Sequence, residues 1–364
     1  MAAVQHILAR AFRRVPVLRE FSPRASIEAF YQTSPNTPTQ SKFTDTPTHS
    51  GADFDLSIVL ISFNTREMTL ECLRSIQIET REIRYEVIVV DNNSADGSVE
   101  AIRSEFPQVR LVALKENIGF ARANNFAAKK ARGNRLLLLN PDTVILDRAL
   151  DRLLAFANST SACGIWGGRT LYGDGSLNPF SCWRRMSLWN LTCYAFLLTH
   201  LAPNNPILNA ESYGGWKRDS VRHIDIVSGC LFLVDRTLWK QLDGFNPIFF
   251  MYGEEADFCL RARLIGTRPI MTPAATIVHY GRASAISTSE RLLTLFKGKV
   301  TLMNLHWSPI ACFLGRRIFL AAPFVRWWMY WLAGHLLART DFKSQAKEWR
   351  ALWQRRGDWI DGYS

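Results

Sequence analysis

Four short apolar runs, the first three of which are each followed by a segment with helical spacing, constrain the fold of this chain more than any other feature. They cover residues 56–64, 85–90, 109–114 and 135–139. Such runs are too short to span a membrane, and the β-branched residues among them favour buried strands. Strands that alternate with helices predict an α/β protein with a mostly parallel central sheet covered by helices on both faces. Ligands bind at the carboxyl ends of the strands of such a sheet.

Two of the predicted strands end at an aspartate. Asp91 is placed to accept a hydrogen bond from the imide N–H of uracil or thymine or from a ribose hydroxyl, but an Asx turn or helix cap also suits residues 91–94. Asp142 follows four leucines, an asparagine and a proline, where a lone carboxylate is well placed to bind a divalent cation. A β-turn over 140–143 is the alternative.

Residues 247–261 place three carboxylates, Glu254, Glu255 and Asp257, after the aromatic run 248–252. Apolar neighbours desolvate a carboxylate and raise its pKa toward that of a general base. The alternative is a solvated helix N-terminus, where acidic residues are favoured by the helix dipole.

Missing motifs exclude several classes of protein. The chain has no Gly-x-x-x-x-Gly-Lys-Ser/Thr, and no Gly-x-Gly-x-x-Gly follows the first predicted strand. This argues against P-loop NTPases and dinucleotide-dependent oxidoreductases. The seven cysteines are scattered and never spaced Cys-x-x-Cys, which argues against a disulfide framework and a zinc site and fits a reducing cytoplasm.

Positive charge is concentrated in the last part of the chain. Of a formal net charge of +12, residues 289–364 contribute a surplus of seven, and they also hold seven of the twelve tryptophans. Basic residues interleaved with tryptophan favour a membrane interface over nucleic acid. The apolar segment 317–338 contains Pro323, Arg326 and His335, so we expect it to lie in the interface rather than to span the membrane. Packing onto the α/β domain is the alternative.

These patterns divide the chain into three parts. Residues 1–54 form an N-terminal extension, which begins with an arginine-rich amphipathic segment and continues through a Ser/Thr/Pro-rich stretch predicted to be disordered. It lacks an apolar run of signal-peptide length. Residues 55–288 form the α/β domain, and residues 289–364 form a basic, tryptophan-rich helical region.

Five motifs in this order resemble the family 2 glycosyltransferases of GT-A fold. The resemblance covers about residues 55–285 and is strongest to bacterial rhamnosyltransferases of cell-surface polysaccharide assembly. The motifs are Ser-Ile-Val-Leu-Ile-Ser-Phe-Asn (57–64), Val-Ile-Val-Val-Asp-Asn-Asn-Ser-Ala-Asp-Gly-Ser (87–98), Asn-Ile-Gly-Phe-Ala-Arg-Ala-Asn-Asn (117–125), Leu-Leu-Leu-Asn-Pro-Asp-Thr (137–143) and Gly-Glu-Glu-Ala-Asp-Phe-Cys-Leu-Arg-Ala-Arg (253–263).

The resemblance implies an inverting transfer of a sugar from a nucleotide donor. The expected donor is dTDP-L-rhamnose, and the expected acceptor is a glycan or a polyprenyl-diphosphate-linked sugar at the cytoplasmic face of the cell membrane. No nucleic acid is expected as a partner. Carried over onto this sequence, the donor-binding residues are Phe63, Asn64, Asp91, Asn93, Asn117, Gly119, Arg122, Asn140 and Asp142.

The resemblance also implies a metal ion and a catalytic base. Asp142 matches the last acid of the family's Asp-x-Asp motif, but Asn140 replaces the first, which leaves one anionic ligand. His279, in a His-x-Gly-x-x-Ser context, is expected to hold Mg²⁺ or Mn²⁺ together with Asp142. The acidic pair of the family falls on Glu254 and Glu255, with Glu255 as the base.

Tyr252 and Asp257 are expected on the acceptor side of the site. The sequence leaves two alternative functions open. The donor could be another nucleotide hexose, such as UDP-glucose or UDP-N-acetylglucosamine, because an aspartate that binds the base does not discriminate the sugar. The chain could also be a catalytically silent glycan-binding scaffold, which only the weakened metal motif at Asn140 favours.

Overall fold

The computed structural model describes residues 54–281, 288–336 and 340–364. The predicted N-terminal extension therefore lies outside the described residues except for Phe54. The same holds for Arg282, Ala283 and Ser284 of the His-x-Gly-x-x-Ser motif and for the last two residues of the segment 317–338.

The four predicted strands are confirmed, and further strands follow them. In the described residues the strands are β1 (Phe54–Ser62), β2 (Tyr85–Asp91), β3 (Arg110–Ala113), β4 (Gly133–Leu139), β5 (Thr143–Ile145), β6 (Ile165–Leu171), β7 (Leu177–Asn178), β8 (Cys182–Trp183), β9 (Arg222–His223), β10 (Ile226–Val227), β11 (Leu231–Asp235) and β12 (Ile270–His279).

Helices separate the first strands, as the sequence predicts, and a helical region forms the last part of the chain. The helices are α1 (Arg66–Glu79), α2 (Ser98–Glu105), α3 (Phe120–Lys130), α4 (Ala149–Ser159), α5 (Leu188–Ala195), α6 (Leu198–Leu201), α7 (Arg236–Gln241), α8 (Glu254–Leu264), α9 (Thr288–His306), α10 (Pro309–Leu336) and α11 (Thr340–Gln354).

The central sheet is mixed, so the expectation of a mostly parallel sheet is wrong for its second half. Its order is β3-β2-β1-β4-β11-β6-β12-β5, with β7 paired to β6 and β9 to β12. Strands β3, β2, β1 and β4 are parallel, whereas β11 is antiparallel to both β4 and β6. Parallel neighbours need a long crossover connection, usually a helix. Strand β11 is instead reached from the irregular stretch 202–221, where the sequence offers no clear period.

Each central strand buries both of its faces. In β4, Leu136 and Leu138 lie in one core, whereas Leu137 and Leu139 lie in the other. Because side chains alternate across a strand, an uninterrupted apolar run fits only a strand that is covered on both sides. One core includes Leu70 and other residues of α1, and the opposite core includes alanines of α3 and Phe258 of α8.

Helix α10 is fastened to the α/β domain by a buried arginine. Arg326 is almost fully buried, its Nη1 donates a hydrogen bond of 2.7 Å to the Tyr194 carbonyl, and its guanidinium lies 4.0 Å from the centre of the Tyr194 ring. In the sequence Arg326 reads as a charge that opposes membrane insertion, whereas its contacts make it a packing residue between α10 and α5. Within the described residues, no helix has the length and apolarity needed to cross a membrane.

Candidate active site

The acid pair opens helix α8 and is buried rather than solvated. Gly253, at φ 113°, precedes the helix, and Glu254 and Glu255 are only 3% and 8% exposed. Burial raises the pKa of Glu254 well above its usual range, and the charge of Glu255 adds to the rise. Burial also raises the pKa of Glu255. In the described part of the chain, one oxygen of each carboxyl group has no hydrogen-bond partner, so each can accept a proton or a hydrogen bond from a ligand.

Glu255 faces the turn that leads into β11. A Cβ atom placed on Gly229 would lie 4.0 Å from the Glu255 carboxyl carbon and 3.6 Å from the Phe120 ring. Burial is the main influence on the pKa of Glu255, and backbone amides, including those of Gly253 and Gly229, partly counteract it. A side chain at position 229 would therefore fill the space beside the carboxyl group, which glycine keeps open.

Asp257 has contacts that differ from those of the two glutamates. Arg261 Nε donates to its Oδ2 at 2.7 Å, and His306 Nε2 lies 2.8 Å from its Oδ1. Both oxygens thus join α8 to its own next turn and to α9. These contacts give Asp257 a structural function, and its expected acceptor-side role stays a prediction.

The loops after β1 and β2 are tied together at the predicted nucleotide end. Asp91 is buried, and its Oδ1 accepts a hydrogen bond of 2.9 Å from the Ser94 amide. Its Oδ2 is also buried but has no partner among the described residues. The Asn64 amide donates to Ser94 Oγ at 2.9 Å, and the Ala95 amide donates to Asn64 Oδ1 at 2.8 Å. Phe63 is half-buried beside this pair of loops, whereas Asn93 is exposed.

A third loop, at 117–119, touches the stretch before the acid pair. A Cβ on Gly119, at φ 83°, would lie 2.5 Å from the Phe250 carbonyl oxygen, and the next amide, of Phe120, donates to that oxygen at 2.7 Å. Asn117 accepts a hydrogen bond of 2.8 Å from Asn92, a residue that the sequence analysis did not single out. Arg122 is exposed, and its Nε donates to the Pro247 carbonyl at 3.1 Å.

The predicted metal ligands meet at the ends of β4 and β12. His279 Nε2 lies 3.4 Å from Asp142 Oδ1 and 3.3 Å from Asn140 Nδ2. Burial alone raises the pKa of Asp142, but His279 and backbone hydrogen bonds outweigh it and lower that pKa. Burial lowers the pKa of His279, yet Cys230 and Asp142 together raise it well above its usual range. The described residues contain no group of three or more His, Cys, Asp or Glu side chains that could hold a metal.

Tyr252 connects the two halves of the site. Its backbone adopts φ 66°, and burial raises the pKa of its hydroxyl. The charges of Glu254, Asp142 and Glu255 raise the same pKa, and Arg291 lowers it. Tyr252 therefore lies within electrostatic range of both the acid pair and the Asp142–His279 pair, which the sequence predicts to act on one substrate.

Two residues of the helical region, Gly298 and Tyr363, hold the loop 248–253 in place. Neither was expected from the sequence. A Cβ on Gly298 of α9 would collide with the Tyr252 carbonyl oxygen. Tyr363 Oη donates to the Met251 carbonyl at 2.7 Å, and its ring packs edge-on against Phe249 with centroids 6.2 Å apart. A glycine inside a helix, which costs about 1 kcal/mol relative to alanine, is the one sequence signal of such a close approach. No local pattern links residue 363 to residue 251.

Comparison with known proteins gives one family. The model of glycosyl transferase family 2 matches residues 57–225. An O-antigen biosynthesis protein of Myxococcus xanthus is 27% identical over 230 residues, which cover 62% of this chain and 17% of that protein. An N-acetylglucosaminyl-diphospho-decaprenol L-rhamnosyltransferase of Mycobacterium tuberculosis is 27% identical over 236 residues, which cover 62% of this chain and 76% of the relative. The matched region thus spans about a sixth of the first relative and three quarters of the second.

A solved structure supports the architecture. The crystal structure of GalNAc-T7 with UDP, GalNAc and Mn²⁺ superposes with a TM-score of 0.50 at 15% sequence identity, over 70% of this chain and 48% of that chain. At this identity the likeness concerns the fold alone.

Tyr363→Phe tests whether residue 363 holds the loop before the acid pair. The substitution keeps the ring against Phe249 and removes the hydrogen bond to Met251, which contributes about 0.5–1.5 kcal/mol. We expect the amides of residues 249–256 to exchange hydrogen about 2- to 12-fold faster, as measured by mass spectrometry. Peptides of β1 are the internal control. Unchanged exchange at 249–256 would mean that the loop is held without Tyr363.

Proposed function

Because this chain belongs to glycosyl transferase family 2, we propose that it transfers a sugar, with inversion, from dTDP-L-rhamnose to a lipid-linked or polysaccharide acceptor. The observation that carries the proposal is the buried pair Glu254–Glu255, whose charges act on Tyr252 together with that of Asp142, the partner of His279. The α/β fold with its mixed sheet is GT-A-like. Rhamnose is favoured by the Mycobacterium tuberculosis relative and by the sequence motifs.

In the proposed mechanism, Glu255 is the general base. Its carboxylate takes the proton of an acceptor hydroxyl while that oxygen forms a bond to the anomeric carbon of the donor. The bond from this carbon to the nucleoside diphosphate breaks on the opposite face, so a β-linked donor gives an α-linked product. The raised pKa of Glu255 suits this step, since a stronger base accepts the proton more readily.

Asp91 is the proposed partner of the nucleotide base. Its buried Oδ2 has no hydrogen-bond partner among the described residues, and an unsatisfied carboxylate oxygen calls for a donor such as the imide N–H of thymine or uracil. The loop residues Asn64, Asn93, Asn117 and Gly119, together with Arg122 in the first turn of α3, are proposed to line the donor pocket. Thymine and uracil share this N–H, so Asp91 supports dTDP- and UDP-sugars equally.

We propose that Asp142 and His279 hold a divalent cation, Mg²⁺ or Mn²⁺, for which His279 would have to release the proton that its raised pKa favours in the absence of metal. The pair offers one carboxylate and one imidazole, which both metals accept, with the side chain of Asn140 beside them. A cation bound there with the donor would neutralise the charge that develops on the departing diphosphate. With one anionic protein ligand, the site depends on the oxygens of the diphosphate for the rest of its coordination.

The helical region is proposed to bind the cytoplasmic face of the cell membrane. Exposed apolar residues recur along α10 at intervals that place them on one helix face, namely Ile310, Phe313, Leu314, Phe324, Trp328 and Trp331. Arg317 lies on the same face. An apolar face with tryptophan and arginine suits the interface of an anionic bilayer.

Glu255→Gln separates catalysis from binding. Loss of the base should lower kcat about 10²- to 10⁴-fold, while the Kd for dTDP stays unchanged. In the wild type, kcat/KM should fall as the pH drops through the raised pKa of Glu255, because the protonated carboxyl cannot accept the acceptor proton. Glu100→Gln, on the exposed side of α2, is the control. Turnover at the wild-type rate in Glu255→Gln would reject Glu255 as the base.

A panel of nucleotide sugars tests the donor and the metal together. We expect dTDP-L-rhamnose to raise the Tm more with Mn²⁺ than without it, since a ligand at 100 times its Kd stabilises the fold by about 2.7 kcal/mol. Asp142→Asn should lose the Mn²⁺ dependence, whereas Asp147→Asn, in an exposed position nearby, should keep it. A larger shift with UDP-glucose or UDP-N-acetylglucosamine would replace the rhamnose assignment. No shift with any nucleotide sugar, together with glycan binding, would favour the scaffold.

Vesicle sedimentation tests the membrane proposal. The protein should sediment with vesicles of phosphatidylcholine and phosphatidylglycerol, and less with phosphatidylcholine alone, because the face is apolar and basic. Phe313→Gln with Trp328→Gln should weaken this binding by about tenfold or more, given the apolar area removed. Leu264→Gln, at an exposed apolar position of α8, is the control. Equal sedimentation of all variants would contradict the assignment of this face.

A further inference from the structure

A polar cavity lies outside the site described above. It has a volume of about 490 Å³ and lies among the start of α5, strands β8–β10 and the end of α8. Four arginines line it, whereas its only acidic lining residue is Asp225. We call this cavity the arginine pocket, and its arginines are Arg184, Arg185, Arg222 and Arg263.

Aromatic rings, not carboxylates, hold two of these guanidinium groups. Arg184 lies 5.0 Å and Arg222 lies 4.9 Å from the centre of the same Tyr213 ring, and Arg222 also lies 5.0 Å from Trp216. Stacking of this kind fixes a guanidinium and leaves its N–H groups free for an anion.

The single carboxylate of the pocket is already engaged. Asp225 Oδ1 accepts a hydrogen bond of 3.1 Å from Arg263, and its Oδ2 accepts one of 3.1 Å from the backbone amide of Arg185. Across the described ranges, the side chains of Arg184, Arg185 and Arg222 form no ion pair and no hydrogen bond. Several like charges gathered around one cavity repel one another, and a bound anion would offset that repulsion.

The pocket is built on a rigid frame. Arg218 is fully buried at φ 58°, and it donates hydrogen bonds of 2.8 Å to the carbonyls of Trp216 and Ser212 and one of 2.9 Å to that of Pro179. It thereby fixes the irregular stretch that carries Tyr213 and Arg222. Ser187 caps α5 at the edge of the pocket, so the positive end of this helix dipole also faces the cavity.

One rim of the pocket is apolar. Trp189 lines the cavity, is exposed, and donates its indole N–H to the carbonyl of the exposed Ile207 at 2.9 Å. Phe196, directly after α5, and Leu201, at the end of α6, are exposed as well, although they do not line the cavity. A ligand with an anionic head and an apolar chain would satisfy both the arginines and this rim.

The pocket and the acid pair share helix α8. Arg263 follows Glu255 by eight residues on the same helix, which corresponds to about 12 Å along its axis. A hexose that offers a hydroxyl to Glu255 and carries a diphosphate at its anomeric carbon extends in this range. The site for the donor diphosphate is separate, since Asp142 and His279 are at the ends of β4 and β12.

We propose that the arginine pocket binds the diphosphate of the lipid-linked acceptor, and that Arg184 and Arg222 are its principal ligands. This inference rests on the proposed function, because it assumes that the sugar is transferred to a lipid-linked acceptor. It names the part of the acceptor that the chain recognises.

Farnesyl diphosphate, inorganic pyrophosphate and farnesol are the probes, measured by calorimetry with dTDP and Mn²⁺ present to fill the donor site. We expect farnesyl diphosphate to bind more tightly than pyrophosphate, and farnesol not to bind. The double variant Arg184→Gln, Arg222→Gln should bind farnesyl diphosphate at least about tenfold more weakly than the wild type, because it loses charge-assisted hydrogen bonds. Arg103→Gln with Lys115→Gln removes the same charge from exposed positions and is the control. Arg185→Gln, at an exposed side chain, is a second test that does not disturb the stacked rings.

Several outcomes would overturn the proposal. The proposal is wrong if farnesyl diphosphate does not bind to the wild type, or if the folded double variant and the control variant bind it equally well. Equal affinity for pyrophosphate and farnesyl diphosphate would identify a site for free phosphate. If the double variant no longer binds phosphatidylglycerol vesicles but still binds farnesyl diphosphate, the pocket is a site for bulk lipid headgroups. Donor hydrolysis by the wild type tests the proposed function separately, because its absence with farnesyl diphosphate still bound would reject the function and keep the pocket.

Discussion

The backbone of residues 245–253 is confined between two glycines, and the geometry of the acid pair depends on this confinement. Gly119 allows the Phe250 carbonyl to approach α3, and Gly298 allows the Tyr252 carbonyl to approach α9. A side chain at either glycine would have to displace this backbone, since the contact is with a carbonyl oxygen and not with a flexible side chain. Glu254 and Glu255 follow directly, so the α/β domain and the helical region together fix where the two carboxyl groups lie.

The two glutamates have different surroundings, and these act differently on the pKa of each carboxyl group. Two adjacent buried carboxylates cannot both ionise at low cost, because each charge is desolvated and repels the other. Backbone amides of Gly229, Gly253 and Ala256 favour the charged form of Glu255, whereas the charge of Glu255 further raises the pKa of Glu254. Environments that separate the pKa values of a pair separate their functions. The backbone amides thus favour the charged form of Glu255, which is the residue proposed as the base.

Much of the fold could be predicted from the sequence, because the first four strands are apolar on both faces and follow one another through helices. Asp91, Asn117 and Asp142 could be placed for the same reason, since each follows a strand of that series. The direction of β11 could not, because it depends on how the irregular stretch 202–221 packs. Arg326 carries no sequence signal that distinguishes a buried anchor from an interfacial charge. The contacts of Asp257 with His306, and of Tyr363 with Met251, join residues far apart in sequence, and no periodicity records them.

Some parts of the site can be predicted from the sequence and others cannot, because the two sides of the site are built differently. The proposed donor side comes from loops that close consecutive β–α units, where the local sequence decides both the strand and the turn that ends it. The proposed acceptor side comes from segments that carry little regular structure of their own and are ordered by long-range contacts. Arg218 orders one such segment through backbone carbonyls, and the half-buried ion pair of Lys299 with Glu211, at 2.7 Å, ties it to α9. Helix α8 spans both sides, with the acid pair at its start and Arg263 near its end. If the proposed assignment holds, a change in the acceptor requires changes in residues 183–223 around helix α8, while the proposed base and donor loops keep their positions.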